Sequence, residues 1–164
     1  MRTLAIPLGS FGNEEDIRAL VRHAVAEGEG GNVLYSLGTT GEGDALNERL
    51  KRLNAETAID EVKRIRSERD EPYPLEVAVD VSEPSVEATL DMAQYVQSIG
   101  ADFLVLKPTY ICRRNGHCTR KKNVDAALKV IDSVSAQFIL YTHMGKQDQR
   151  HLKTKAVKAL AKHP

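Results

Sequence analysis

The sequence predicts an α/β chain, a parallel sheet whose strands are joined by crossover helices. Three observations carry this: short apolar runs alternate with segments of helical period, turn residues mark nearly every change, and no low-complexity linker interrupts the alternation. At 164 residues and 41% hydrophobic content the chain can bury a core, and its length fits one domain.

The first unit opens at Thr3 to Leu8, an apolar run ended by Pro7 and Gly9. Asn13 is placed to cap a helix whose first turn is Glu14-Glu15-Asp16. Ile17, Leu20, Val21, Ala24 and Val25 then recur at helical spacing until Gly28, with Gly30-Gly31 beyond it.

The pattern repeats. Val33 to Leu37 reads as a strand and Leu46 to Glu68 as a helix with Leu50, Leu53, Thr57, Ile59, Val62 and Ile65 on its apolar side. Leu75 to Val81 is a strand, Val86 to Ile99 a helix closed by Gly100, Phe103 to Lys107 a strand and Val124 to Val134 a helix. Phe138 to Tyr141 and Leu152 to Ala161 complete five βα units.

Charge and composition exclude several classes of partner. Lys plus Arg total 23 and Asp plus Glu total 23, so no net basic field exists to hold nucleic acid or an anionic membrane. No run is long and apolar enough for a transmembrane helix, and Met1-Arg2-Thr3 leads into a strand instead of a signal-peptide core. The expected compartment is the cytoplasm. The two cysteines, Cys112 and Cys118, flank His117 in a polar stretch and do not make a disulfide scaffold.

Alternation of this kind leaves two topologies, a doubly wound sheet and a closed barrel. Pro7 to Gly12 carries neither GxGxxG nor a GK[ST] ending, so a nucleotide-binding turn is absent there. The unusual polar residues fall at the carboxyl ends of strands two, four and five: Thr39-Thr40, Lys107-Pro108-Thr109-Tyr110 and Tyr141-Thr142-His143. In a (β/α)8 barrel this is the catalytic face.

The run Gly28 to Glu42, GEGGNVLYSLGTTGE, resembles the signature of the dihydrodipicolinate synthase and N-acetylneuraminate lyase family. LNERL at Leu46 to Leu50, ADFLVLKPTY at Ala101 to Tyr110 and ILY at Ile139 to Tyr141 agree with that family in order and spacing. The resemblance implies an incomplete (β/α)8 TIM barrel of five parallel units, with residues 1–164 the N-terminal part of a single barrel domain and strands six to eight lacking.

It also implies pyruvate chemistry. Members of the family form a Schiff base between a barrel lysine and a 2-oxo acid, and the iminium serves as an electron sink for making or breaking a carbon-carbon bond. No further cofactor and no metal is implied. Thr40 and the neighbouring N–H groups, including that of Gly41, would hold the pyruvate carboxylate. Thr39 would contact substrate and relay protons to Tyr141, the acid/base group, and Tyr110 would complete the relay across a subunit contact. The implied partners are pyruvate, an aldehyde and further copies of the chain, the family assembly being a tetramer. Gly38 and Gly41 would let the backbone approach the ligand.

Each feature also has a structural reading. A Thr-Thr pair between glycines suits a strand-to-helix turn, Tyr141 a core tyrosine and Tyr110 a loop anchor. Cys112, His117 and Cys118 lack metal-site spacing and a fourth ligand. Arg120-Lys121-Lys122 reads as a solvated loop, and Lys107 as a side chain snorkelling to solvent beside Pro108, although it is the one lysine placed to replace a missing nucleophile.

Departures from the family frame the functional expectation. The family's Schiff-base lysine lies on strand six, which falls beyond Pro164, and two open sheet edges are expected at strands one and five. After Tyr141 the run is Thr142-His143-Met144-Gly145-Lys146, where the synthases carry an arginine for a distal carboxylate; Val79-Asp80-Val81 replaces a glycine-rich end of strand three. Two readings stand: a fragment of a pyruvate-dependent aldolase or lyase holding the threonine and tyrosine groups, and a non-catalytic relative serving as a binding or assembly module.

Overall fold

A computed structural model of the chain describes residues 5–8, 11–27, 32–38, 42–69, 74–108, 111, 120–141, 157–158 and 160. Five strands, β1 (Ala5–Pro7), β2 (Val33–Ser36), β3 (Glu76–Asp80), β4 (Phe103–Leu106) and β5 (Phe138–Leu140), alternate with helices α1 (Glu14–Glu27), α2 (Glu48–Ser67), α3 (Val86–Ile99) and α4 (Arg120–Asp132). A single 3-10 turn at Gly43–Ala45 precedes α2.

All pairings are parallel and the strand order is β1-β2-β3-β4-β5. Every crossover therefore steps the same way. A doubly wound sheet would reverse direction at a switch point, so this order settles the topology in favour of barrel winding.

The helix boundaries follow their capping residues. The Asn13 side chain accepts from the Asp16 N–H at 2.9 Å, and three acidic residues follow where the helix dipole favours them. Asn47 and Ser85 cap α2 and α3 through the N–H groups of Leu50 and Ala88. Gly100 closes α3 at φ 90°, a conformation open to glycine. Helix α4 begins one turn earlier than its apolar period suggests. Lys121 and Lys122 are accordingly exposed residues of its first turn, not of a loop, and Lys121 pairs with Asp125 one turn on. Of the last expected helix, Val157, Lys158 and Leu160 are described, all helical, with Leu160 buried.

Strand alternation gives the sheet two different faces. Leu34, Val77, Val79, Leu104 and Leu106 pack beneath the helices with Ile17, Val21, Ala58, Ile59, Val62, Val96 and Val130. Each Val, Leu or Ile among them contributes about 1.5–3 kcal/mol when fully buried. The opposite face buries Val33, Ala78 and Val105 under Tyr35, Phe103 and Tyr141.

The buried side of α2 is more polar than its leucines suggest. Leu50 and Leu53 are half-buried, whereas Lys51, Asn54 and Glu61 lie inside. Asn54 earns its place by bonding both backbone groups of Phe11, which ties the β1–α1 connection to α2. Glu61 is fully buried between Arg18, Arg22 and Arg64, at 3.0, 2.8 and 2.5 Å. The Arg64 hydrogen bond, with those of Arg22 and Arg18, outweighs burial and draws the Glu61 carboxyl down to about 2.

At the amino ends of the strands, Arg66 spans the Leu75 carbonyl at 2.5 Å and Asp102 at 2.7 Å. Asp102 also accepts the Val77 N–H, so this end is closed by a structural bond network. The opposite end is built differently.

Candidate active site at the carboxyl ends of the strands

Four strands deliver polar groups to one end of the sheet. Tyr35 is the third residue of β2, Asp80 the last of β3, and Lys107 and Tyr141 directly follow β4 and β5. Alternation puts Tyr35, Asp80 and Lys107 on the face of Val33, Ala78 and Val105, away from the helices.

These groups are bonded to one another. The Tyr35 hydroxyl donates to Asp80 Oδ2 at 2.9 Å, and the Lys107 ammonium lies 3.0 Å from the same oxygen. Lys107 Nζ also donates to Asp44 Oδ1 at 2.7 Å, reaching the 3-10 turn before α2. The backbone completes the frame: the Ser82 N–H donates to Asp80 Oδ1 at 2.9 Å, and the Lys107 N–H to Ser82 Oγ at 2.7 Å.

Burial sets the electrostatics. Asp80 is 5% and Lys107 6% exposed. Burial pushes the Asp80 carboxyl up, against the pull of the Lys107 charge and the Ser82 hydrogen bonds. In Lys107 the downward effect of burial is overcome by the Asp80 charge and the Asp44 hydrogen bond, and the net shift is upward. Burial and the adjacent Asp80 charge push the Tyr35 phenol up as well. The ammonium therefore holds its proton at neutral pH and has no lone pair with which to attack a carbonyl. The expectation that Lys107 snorkels to solvent is thus overturned: two carboxylates hold its head group inside.

Tyr141 joins this end of the sheet. Its N–H donates to the Leu106 carbonyl at 2.9 Å, and its ring lies 6.1 Å from that of Tyr35, centroid to centroid, at an interplanar angle of 48°. The turn after β2 is pinched. Leu37 and Glu42 stand at φ 62° and 57°, and the Gly43 N–H donates to the Gly38 carbonyl at 3.2 Å. A Cβ on Gly43 would sit 2.2 Å from the Leu37 carbonyl oxygen, so the neck of this turn needs a glycine.

Dihydrodipicolinate synthase superposes on this chain with a TM-score of 0.79 at 18% identity, covering 98% of this chain and 52% of its own. N-acetylneuraminate lyase from Fusobacterium nucleatum gives 0.79 at 17%, covering 99% and 53%. An Escherichia coli K12 prophage protein of the dihydrodipicolinic acid synthase family, solved with pyruvate, gives 0.78 at 23%, covering 97% and 50%. The chain has the fold of the dihydrodipicolinate synthase barrels. It spans about half the length of the structures it matches. No protein-family model and no curated protein matches the sequence.

In this synthase-like fold the end that gathers Tyr35, Asp80, Lys107 and Tyr141 is the one where barrels of this class place their chemistry. Of the residues singled out from the sequence, Tyr141 is at that end; Thr39, Thr40, Gly41 and Tyr110 lie outside the described residues, as do Cys112, His117 and Cys118. Gly38 also has a packing role. A Cβ there would lie 2.6 Å from the Tyr35 ring, so the missing side chain makes room for that tyrosine.

Tyr35, Asp44 and Ser82 escaped sequence reasoning, and Asp80 registered only as a departure from glycine. A signal existed: a carboxylate at the end of the apolar alternation Val77-Ala78-Val79, on the same parity as Ala78, requires a buried partner. Among the described residues no group of His, Cys, Asp and Glu side chains could hold a metal ion, and no helix is long and apolar enough to cross a membrane.

Proposed function

We propose that this chain is the amino-terminal half of a pyruvate-dependent Schiff-base aldolase or lyase, a single barrel domain whose amine nucleophile comes from outside residues 1–164. The observation that supports this most is the gathering of Tyr141, Tyr35, Asp80 and Lys107 at one end of a synthase-like sheet, with Thr39-Thr40-Gly41 following Gly38 in the sequence. Thr40 and the Gly41 N–H bind the carboxylate of the 2-oxo acid. Thr39 passes a proton to Tyr141, which protonates and deprotonates at the imine and at the aldehyde oxygen. Tyr110 completes the relay from a neighbouring copy of the chain, which makes the working unit a homo-oligomer. Hydroxyl groups suit this task because they move a proton without leaving a fixed charge beside the iminium.

Lys107 is not the nucleophile in this reading, because its ammonium is held protonated by Asp80 and Asp44. The same ion cluster favours the second reading, a non-catalytic binding or assembly module, since charges occupy a strand end where the resemblance has glycine.

Titration of the 164-residue chain with pyruvate, followed by backbone amide chemical shifts, separates the two. Saturable shifts at Gly38, Glu42 and Tyr141 are expected, with affinity reduced about tenfold or more in Thr40→Val through loss of a hydrogen bond to a charged group. Shifts that are absent, or unchanged by Thr40→Val, would remove pyruvate as the ligand and leave the module.

A further inference from the structure

The ion cluster joins elements far apart in sequence. Lys107 and Asp44 are 63 positions apart, and Lys107 and its second carboxylate, Asp80, close the ends of adjacent strands. Asp44 belongs to the 3-10 turn that begins at the pinched neck, one residue after Gly43. The neck itself is unfavourable: Leu37 and Glu42 both take left-handed backbone angles that L-residues avoid. Such conformations persist only where the surroundings impose them.

On the amino-terminal side that role falls to burial, since Leu37 is 3% exposed within the core. On the carboxyl-terminal side the ammonium of Lys107 grips Asp44. With Asp44 one-third exposed this ion pair contributes little net stability, but the buried head group of Lys107, held between Asp44 and Asp80, favours one geometry.

We infer that Lys107 is a positioning residue, whose ammonium bridges Asp44 and Asp80 and so holds the neck formed by Leu37, Gly38, Glu42 and Gly43 in one conformation beside the carboxylate ligand proposed for this end of the sheet. The clamp stands on the geometry above; the ligand rests on the function proposed for this site.

Hydrogen exchange of the full chain, read on peptides covering residues 37–47, tests both parts separately. Lys107→Met and Asp44→Asn are each expected to speed exchange in this segment by at least about tenfold, with peptides from α1 and α3 unchanged and no further effect in the double variant. Asp44 is one-third exposed, and Asp44→Asn leaves Lys107 its contact with Asp80, so this variant decides the matter if Lys107→Met fails to fold. Unchanged exchange in Asp44→Asn, or exchange in the unsubstituted chain already as fast as in unfolded peptide, overturns the clamp. Added pyruvate is expected to slow exchange of the segment in the unsubstituted chain and not in Lys107→Met. A chain that shows the clamp without any response to pyruvate overturns the ligand and retains the clamp.

Discussion

Asp80 Oδ2 accepts the Tyr35 hydroxyl at 2.9 Å and faces the Lys107 ammonium at 3.0 Å, so one buried carboxylate oxygen is shared by a phenol and a cation. This sharing links β2, β3 and β4 through side chains at the end of the sheet where chemistry is expected. It also determines which of these groups can react.

Because the lysine is a held ammonium, the purified chain treated with pyruvate and borohydride is expected to gain no mass at Lys107. Peptide mass spectrometry checks this. An increase matching reduced pyruvate, mapped to Lys107 and lost in Lys107→Ala, would show that the amine is neutral and nucleophilic after all.

The shared oxygen makes Tyr35 and Asp80 energetically coupled. Tyr35→Phe removes one donor to a buried carboxylate and is expected to cost about 1–3 kcal/mol. In a denaturation cycle with Asp80→Asn the coupling energy should fall at about 0.5–3 kcal/mol. Additive effects would mean that the hydroxyl and the carboxylate act independently.

Glu61 carries a separate, acid-sensitive part of the stability. Its carboxyl is drawn from 4.5 to about 2 in the fold, chiefly by the Arg64 hydrogen bond. A depressed folded value means that the stabilisation is present above pH 4.5 and is lost as the pH falls from there toward 2. The loss amounts to at most about 3.5 kcal/mol. Urea unfolding at pH 7, 4 and 3 should show it in the unsubstituted chain and show much less in Glu61→Gln, which starts from a lower stability at pH 7.

Two glycines provide a paired test of the neck. Gly43→Ala places a Cβ against the Leu37 backbone and is expected to destabilise by about 1–3 kcal/mol. A Cβ on Gly12 meets nothing within 4 Å, so Gly12→Ala should change stability by about 1 kcal/mol or less. Equal thermal midpoints for the two variants would contradict the close approach of Gly43 to Leu37.

Much of the framework was legible before any tertiary contact. The Asn13 cap, the Gly100 stop and the four apolar strand runs from Val33 onward follow from local conformational preference and period, which act within a few residues. The Tyr141 position followed from the same counting, as the last residue of the fifth apolar run, and in the structure it directly succeeds β5. The start of α4 did not, because Arg120 to Lys122 are polar and an exposed first turn leaves no apolar trace.

By itself, then, the sequence determined the βα alternation and the placing of Lys107 and Tyr141 at strand ends, because both depend on spacing along the chain. Only the tertiary structure decided the uniform strand order β1 to β5 and the state of Lys107. A lysine beside a proline is free to reach solvent until the fold brings Asp44 and Asp80 within 3.0 Å of its ammonium. In the low-dielectric interior that proximity settles both its protonation and its position.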